Sequence, residues 1–331
     1  VLDALEPEAT PRLSQLWNHR PPDEPFVLRF SLAGYAILEQ PAVLKAGVAS
    51  LRDALWRLIA LPAVRHDQAE ATISRLVPLV LESAHETTTT YIAELMQYLL
   101  NEHSAAPLVA KMLAELASLP ASQMADDKAG PKNVASFVHA FAGRAPLMLF
   151  LNMELLQPHV EAVSHHLRCG AVRTYGQLLV QLAKLQTSSP AEASEILAEI
   201  VPADIVRVLL ERTKDIHSLV RAAALETLCQ LCESEALSAL CRSQALALAV
   251  FQETAEMGLH RLADKAANVR RKALQLFCKL LDYNPFGLKT LRLAKLEATR
   301  EELRERVTSA AAATAAAAAT AAASAAAATP P

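Results

Sequence analysis

VRRKALQLFCKL, residues 269–280, has two earlier counterparts in the same chain: VRAAALETLCQL at 220–231 and LRCGAVRTYGQL at 167–178. The three align without gaps, at spacings of 53 and 49 residues. Apolar residues recur in each at the period of one helix face. A unit of this size cannot bury such a face alone and must stack on a neighbour, so a repeat near 50 residues points to stacked helix pairs.

Composition agrees. The chain has 331 residues, 52% of them hydrophobic, with eight glycines and 5% aromatics. Abundant Ala and Leu with few aromatic residues favours helices over strands. The expected fold is therefore all-α, a HEAT/armadillo-like helical-repeat solenoid.

Punctuation divides the chain further. Residues 1–25 form a proline-rich, extended lead-in ending in NHRPPDEP. Residues 26–119 show helical periodicity, as in Leu51, Leu55, Leu58, Ile59 and again in Ile92, Leu95, Met96, Leu99. PASQMADDKAGPK, 120–132, reads as a linker or exposed loop. The repeat array follows at 133–307, then an alanine-rich, low-complexity tail at 308–331. That tail is no membrane anchor, because alanine is barely apolar and Thr314, Thr320 and Ser324 interrupt it. The chain starts at Val1 without a methionine and is expected to be a fragment.

Each aligned segment opens with an apolar residue followed by an arginine: Arg168, Arg221, Arg270. In the last two an aspartate stands six residues earlier, at Asp215 and Asp264. This D-x5-R spacing resembles the HEAT-repeat signature. On a helix advancing about 100° per residue, Arg270 falls within the apolar arc of Val269, Ala273, Leu276 and Leu280. Buried charges are normally paired, so Asp215, Arg221, Asp264 and Arg270 are expected to form structural pairs, with Arg270 bound to Asp264 or to its counterpart in the next repeat.

Arg271, Lys272 and Lys279 lie on the solvent side. Residues 257–295 hold nine basic residues against two acidic ones, in a chain whose net charge is -3. Such an excess is the footprint of phosphate-backbone contact. It marks Lys265, Arg271, Lys272, Lys279, Lys289, Arg292 and Lys295 as candidate DNA-contacting residues. Solvation of an exposed helix face explains the same charges equally well. The preceding repeat carries Ala222, Ala223, Glu226 and Gln230 on the matching arc, so the basic stripe belongs to the last unit alone.

The five cysteines are an odd number, and reduced thiols without disulfides are expected. Cys229-x2-Cys232, with Cys241 nearby, has the look of a zinc site. However, Cys229, Cys278 and Gly176 share one repeat position, which points to a need for a small residue. His159, His165 and His166 flank a helix connection without a metal or catalytic motif. No phosphate-cradling, dinucleotide, nucleophile-elbow or zincin motif occurs. The sequence thus implies no catalytic residue, no cofactor, no metal and no small-molecule substrate. A helical hydrolase or metalloenzyme stays in view only if His165, His166 and the cysteines converge in space.

LHRLADKAANVRRKALQLFCKLLDYNPFGLKTL at 259–291 resembles the D2-type non-SMC HEAT-repeat subunits of condensin. The resemblance extends through LLERTKDIHSLVRAAALETLCQL at 209–231 and through residues 132–179. It implies a non-catalytic scaffold in mitotic chromosome condensation, joined to a kleisin subunit and paired SMC ATPase subunits and touching double-stranded DNA. ATP hydrolysis would belong to the SMC partners, and the location would be nucleus and chromosome, with a cytoplasmic phase. Family members are much longer, and the match stops near Arg306. Another HEAT scaffold, of the transport-receptor or phosphatase type, would share the repeat physics.

Overall fold

The computed structural model describes residues 34–38, 49–65, 68–83, 86–120, 122–125, 128–242, 246, 248–285, 300–302, 304–305 and 307–309. The expected lead-in, most of the alanine tail, and Lys289, Arg292 and Lys295 lie outside them. Among the described residues every regular element is a helix. None is long and apolar enough to cross a membrane.

In chain order the α-helices between residues 49 and 282 are α1 (Ala49–Arg65), α2 (Ala69–Glu82), α3 (Glu86–His103), α4 (Ala106–Ala117), α5 (Gly130–Arg144), α6 (Pro146–Phe150) and α7 (Gln157–Glu161). They continue with α8 (His165–Ser188), α9 (Pro190–Glu199), α10 (Pro202–Arg212), α11 (Ser218–Glu233), α12 (Ala236–Arg242), α13 (Leu248–Arg261) and α14 (Ala267–Asp282). Proline opens many of them, including α4, α5, α7, α9 and α10. The first turn of a helix has no partner for that N–H, so proline costs nothing there. Pro62 and Pro78 sit inside α1 and α2, where each removes one backbone bond.

The three aligned segments become α8, α11 and α14. Each is the second helix of a pair, preceded across a tight turn by α7, α10 and α13 respectively. The described residues up to Leu280 belong to one packed unit. Within it, α5 lies against α2, α3 and α8, and α8 lies against α11. Phe137 and Phe141, both fully buried on α5, stack with ring centroids 6.0 Å apart. Asn133 Nδ2 donates to the carbonyls of Leu81 (3.3 Å) and Ser83 (2.8 Å), tying the start of α5 to the end of α2, 50 to 52 residues earlier.

Two glycines set the approach of successive second helices. A Cβ at Gly170 would stand 2.3 Å from Ala135 Cβ, and one at Gly176 would stand 2.1 Å from Thr227 Cγ2. Neither is compatible with the observed spacing, so α5–α8 and α8–α11 close up through missing side chains. Cys229 holds the position of Gly176 one repeat later, its Sγ 3.9 Å from the Lys272 carbonyl of α14.

The second unit, Leu281–Pro331, is described only in pieces. In it the Thr308 hydroxyl donates to the carbonyls of Arg304 (3.0 Å) and Glu305 (2.9 Å).

Candidate functional site

The turns preceding α8, α11 and α14 carry the most elaborate polar chemistry of the described chain. Asp215 ends the turn after α10. Its Oδ1 accepts from the His217 N–H at 2.8 Å, which holds the turn closed just before α11 starts. Asp264 repeats this with the Ala266 N–H at 2.9 Å.

Each aspartate then meets an arginine from the preceding repeat. Arg168 Nε and Nη2 fork onto Asp215 at 2.8 and 3.0 Å. Arg221 forks onto Asp264 at 2.8 Å through both atoms. The remaining nitrogen of each guanidinium faces back to its own turn. Arg168 Nη1 donates to the carbonyls of Ala162 and Val163, both at 2.7 Å. Arg221 Nη1 donates to those of Asp215 (2.9 Å) and Ile216 (3.0 Å). One side chain therefore closes its own turn and clamps the next, a use of the planar five-donor fork that lysine could not make.

A second arginine flanks each carboxylate, Arg212 at 3.7 Å from Asp215 and Arg261 at 3.4 Å from Asp264. Both aspartate side chains are only 3% exposed. The Arg221 bond is the main reason the Asp264 carboxyl is lowered to about 2, with the Ala266 N–H and Arg261 adding to it against burial. For Asp215, burial pushes upward, but the Arg168 fork and the His217 N–H outweigh it and the carboxyl ends below its usual range.

Arg270 differs from its expected place. It is exposed, not buried in the apolar arc, and Asp264 offers it a backbone carbonyl instead of a carboxylate: Nη1 donates to Asp264 O at 2.8 Å and Lys265 O at 3.0 Å. The physical reason is direction. The carboxylate of each turn points back toward the previous repeat, so Asp264 is taken by Arg221.

The basic face is also rearranged by its neighbour. Lys272 Nζ lies 2.7 Å from Glu226, and Lys279 Nζ lies 3.1 Å from Glu233. Both partners sit 46 residues back on α11, so two rungs tie the helices along their outer side. Arg173 of α8 also approaches Glu226, at 3.9 Å. Lys265 and Arg271 are exposed and have no ion pair among the described residues.

The thiols of Cys229 and Cys232 are pushed up to about 12 by burial, and that of Cys241 to about 11. Thiols held protonated in this way are poor ligands and poor nucleophiles. The His165 ring stacks on that of His217 at a centroid distance of 4.1 Å and lies 4.0 Å from that of His166, tilted by 35°. No group of three or more His, Cys, Asp or Glu side chains among the described residues could hold a metal ion.

Stacked helix pairs, a D-x5-R turn and an arginine–aspartate ladder define a HEAT-type helical-repeat protein, and no family model matches the chain. Across 89% of its length the chain is 26% identical to condensin-1 complex subunit CAP-D2 of Arabidopsis thaliana. It is 23% identical to condensin complex subunit 1 of Mus musculus across 90%, and 22% identical to that of Homo sapiens across 84%. The resemblance read in the sequence is borne out: along most of its length the chain is similar to condensin complex subunit 1. It spans about a fifth of the length of these relatives, 20%, 21% and 19% respectively. Two crystal structures of engineered proteins align with TM-scores of 0.22 and 0.24 at 16% and 15% identity, covering 58% and 76% of this chain and 97% and 75% of theirs; likeness at that level carries no argument.

Proposed function

We propose that this chain is part of a non-catalytic scaffold subunit of a condensin complex, acting in mitotic chromosome condensation on chromosomes in the nucleus. The supporting observation is the similarity to condensin complex subunit 1 over nearly the whole chain, in a fold whose polar machinery is spent on joining repeats. Its partners in this reading are a kleisin subunit and the SMC ATPase subunits, which supply ATP hydrolysis. Affinity purification of the intact protein tests it: SMC and kleisin subunits should copurify in fixed proportion, and their absence would refute it.

Double-stranded DNA is the further partner, met through the basic end of the array. Among the described members of the candidate set, the pairing of Lys272 with Glu226 and of Lys279 with Glu233 leaves Lys265 and Arg271 without an ion pair. Lys289, Arg292 and Lys295 extend the candidate set in sequence. Each phosphate contact contributes about 0.9 to the slope of log affinity against log salt. Replacing Lys265 and Arg271 with Glu should weaken duplex binding by the intact protein and flatten that slope by roughly 2. An unchanged slope would move the contact off this face.

A further inference from the structure

α5 and α8 border a cavity of about 290 Å³, with Thr90 of α3 at one side. Two stripes line it. Lys132, Ser136 and His139 follow one another at four and then three residues along α5, and His166 and Arg173 stand seven apart on α8, so each set occupies one helix face. The close Gly170–Ala135 approach brings the two backbones together, so that both stripes face one space. Lys132 and Arg173 are exposed and the other four half-buried. The cations therefore stand at the opening, and the hydroxyls and imidazoles further in.

No carboxylate lines this cavity. The next two grooves of the array are different. Between α8 and α11, and again between α11 and α14, a glutamate bridges the outer side: Glu226 lies 3.9 Å from Arg173 and 2.7 Å from Lys272, and Glu233 lies 3.1 Å from Lys279. Arg173 holds on α8 the repeat position that Glu226 holds on α11, so a base replaces the bridging acid where α8 meets α5. Burial, and then the neighbouring Arg173 guanidinium, hold the His139 imidazole below its usual range. At neutral pH the fixed charges of the cavity are thus the two cations, with hydroxyls and imidazoles beside them that can donate hydrogen bonds.

We propose that this cavity binds the phosphate of a phosphoserine or phosphothreonine on a partner polypeptide. A phosphate monoester brings a charge of about -1.5 to -2 and three strong acceptor oxygens at neutral pH. Lys132 and Arg173 match it in charge, and Thr90, Ser136 and the imidazoles match it in donors. The volume stands at the foot of the range of about 300–1,000 Å³ common for small-ligand pockets, enough for one phosphorylated side chain. A nucleic-acid backbone fits less well. Its phosphates carry one charge each along a continuous track. Here Glu94, one turn from Thr90 on α3, and Glu226, beyond Arg173, end the positive potential at the edges of the cavity.

The test uses the intact protein, dephosphorylated beforehand, and fluorescein-labelled peptide pools with random flanks and a fixed central phosphoserine, phosphothreonine, serine or threonine. Fluorescence anisotropy should show the phosphorylated pools bound at least about tenfold tighter than the plain ones, with phenyl phosphate as a competitor. Lys132→Gln combined with Arg173→Gln should abolish that preference. Ser136→Glu, which supplies from within the carboxylate that the lining lacks, should abolish it too. Lys265→Glu with Arg271→Glu, on the basic face of the last repeat, should leave it intact. Equal binding of phosphorylated and plain pools, a preference that survives both cavity variants, or one lost with Lys265→Glu and Arg271→Glu would overturn the proposal. So would cavity variants that weaken duplex DNA binding as much as peptide binding, an outcome that would give the cavity to nucleic acid.

Discussion

Arg221→Met tests the ladder most directly, because it removes the fork while keeping an unbranched apolar stem. The substitution leaves Asp264, whose side chain is 3% exposed, facing only Arg261 at 3.4 Å and the Ala266 N–H. A carboxyl held at about 2 instead of 3.8 stabilises the folded chain at neutral pH by about 2 to 3 kcal/mol. Stranding one member of a buried pair costs about 3–5 kcal/mol, and the surviving Arg261 places the expected loss near the lower end, about 3 kcal/mol. Arg207→Met is the control. Its pair with Asp204 has side chains 53% and 66% exposed, and losing such a pair costs under about 1 kcal/mol. Urea unfolding of both variants gives the comparison. The pH profile gives a second signature. The Asp264 carboxyl is lowered in the folded state, so its stabilisation is present above about 4 and is lost as pH falls toward 2. Asp264→Asn should remove that part of the acid limb. Equal losses for Arg221→Met and Arg207→Met, or an acid limb untouched by Asp264→Asn, would refute the reasoning.

Two further outcomes follow from the packing. Gly176→Val should lower the melting temperature, at a cost of about 1–3 kcal/mol for overpacking, because its Cβ would fall 2.1 Å from Thr227 Cγ2. Maleimide should label Cys278 within the folded chain while Cys229, Cys232 and Cys241 react only after denaturant is added, as read by mass spectrometry of the peptides.

The all-α repeat was legible because a helix face and a fixed spacing are one-dimensional signals, and VRAAALETLCQL against VRRKALQLFCKL shows both. The D-x5-R residues could also be found by spacing. The direction of pairing could not: Arg221 has Asp215 six residues before it and Asp264 well after it, and only the stacking of α11 on α14 decides between them. A helical wheel placed Arg270 among apolar residues, yet a wheel assumes a neighbour on that side. It likewise left Lys272 and Lys279 in solvent, because Glu226 and Glu233 lie on another helix, 46 residues away. Arg212 and Arg261 were missed altogether. Their signal was present as R-x2-D-x5-R, the same ten-residue frame at 212–221 and 261–270.

The two-sided arginine has a consequence for how such an array can change. Every rung joins the same two groups in the same register, so Arg168 would meet Asp264 as readily as it meets Asp215. Excision of the 49 residues from Asp215 to Ala263 would bring Asp264 into that place and leave no arginine–aspartate rung broken, although it would take Glu226 and Glu233 away from Lys272 and Lys279. Loss of one residue of a rung strands its partner, whereas loss of a whole period does not. The ladder therefore makes the repeat, and not the residue, the smallest piece that can be deleted or duplicated without breaking an arginine–aspartate rung.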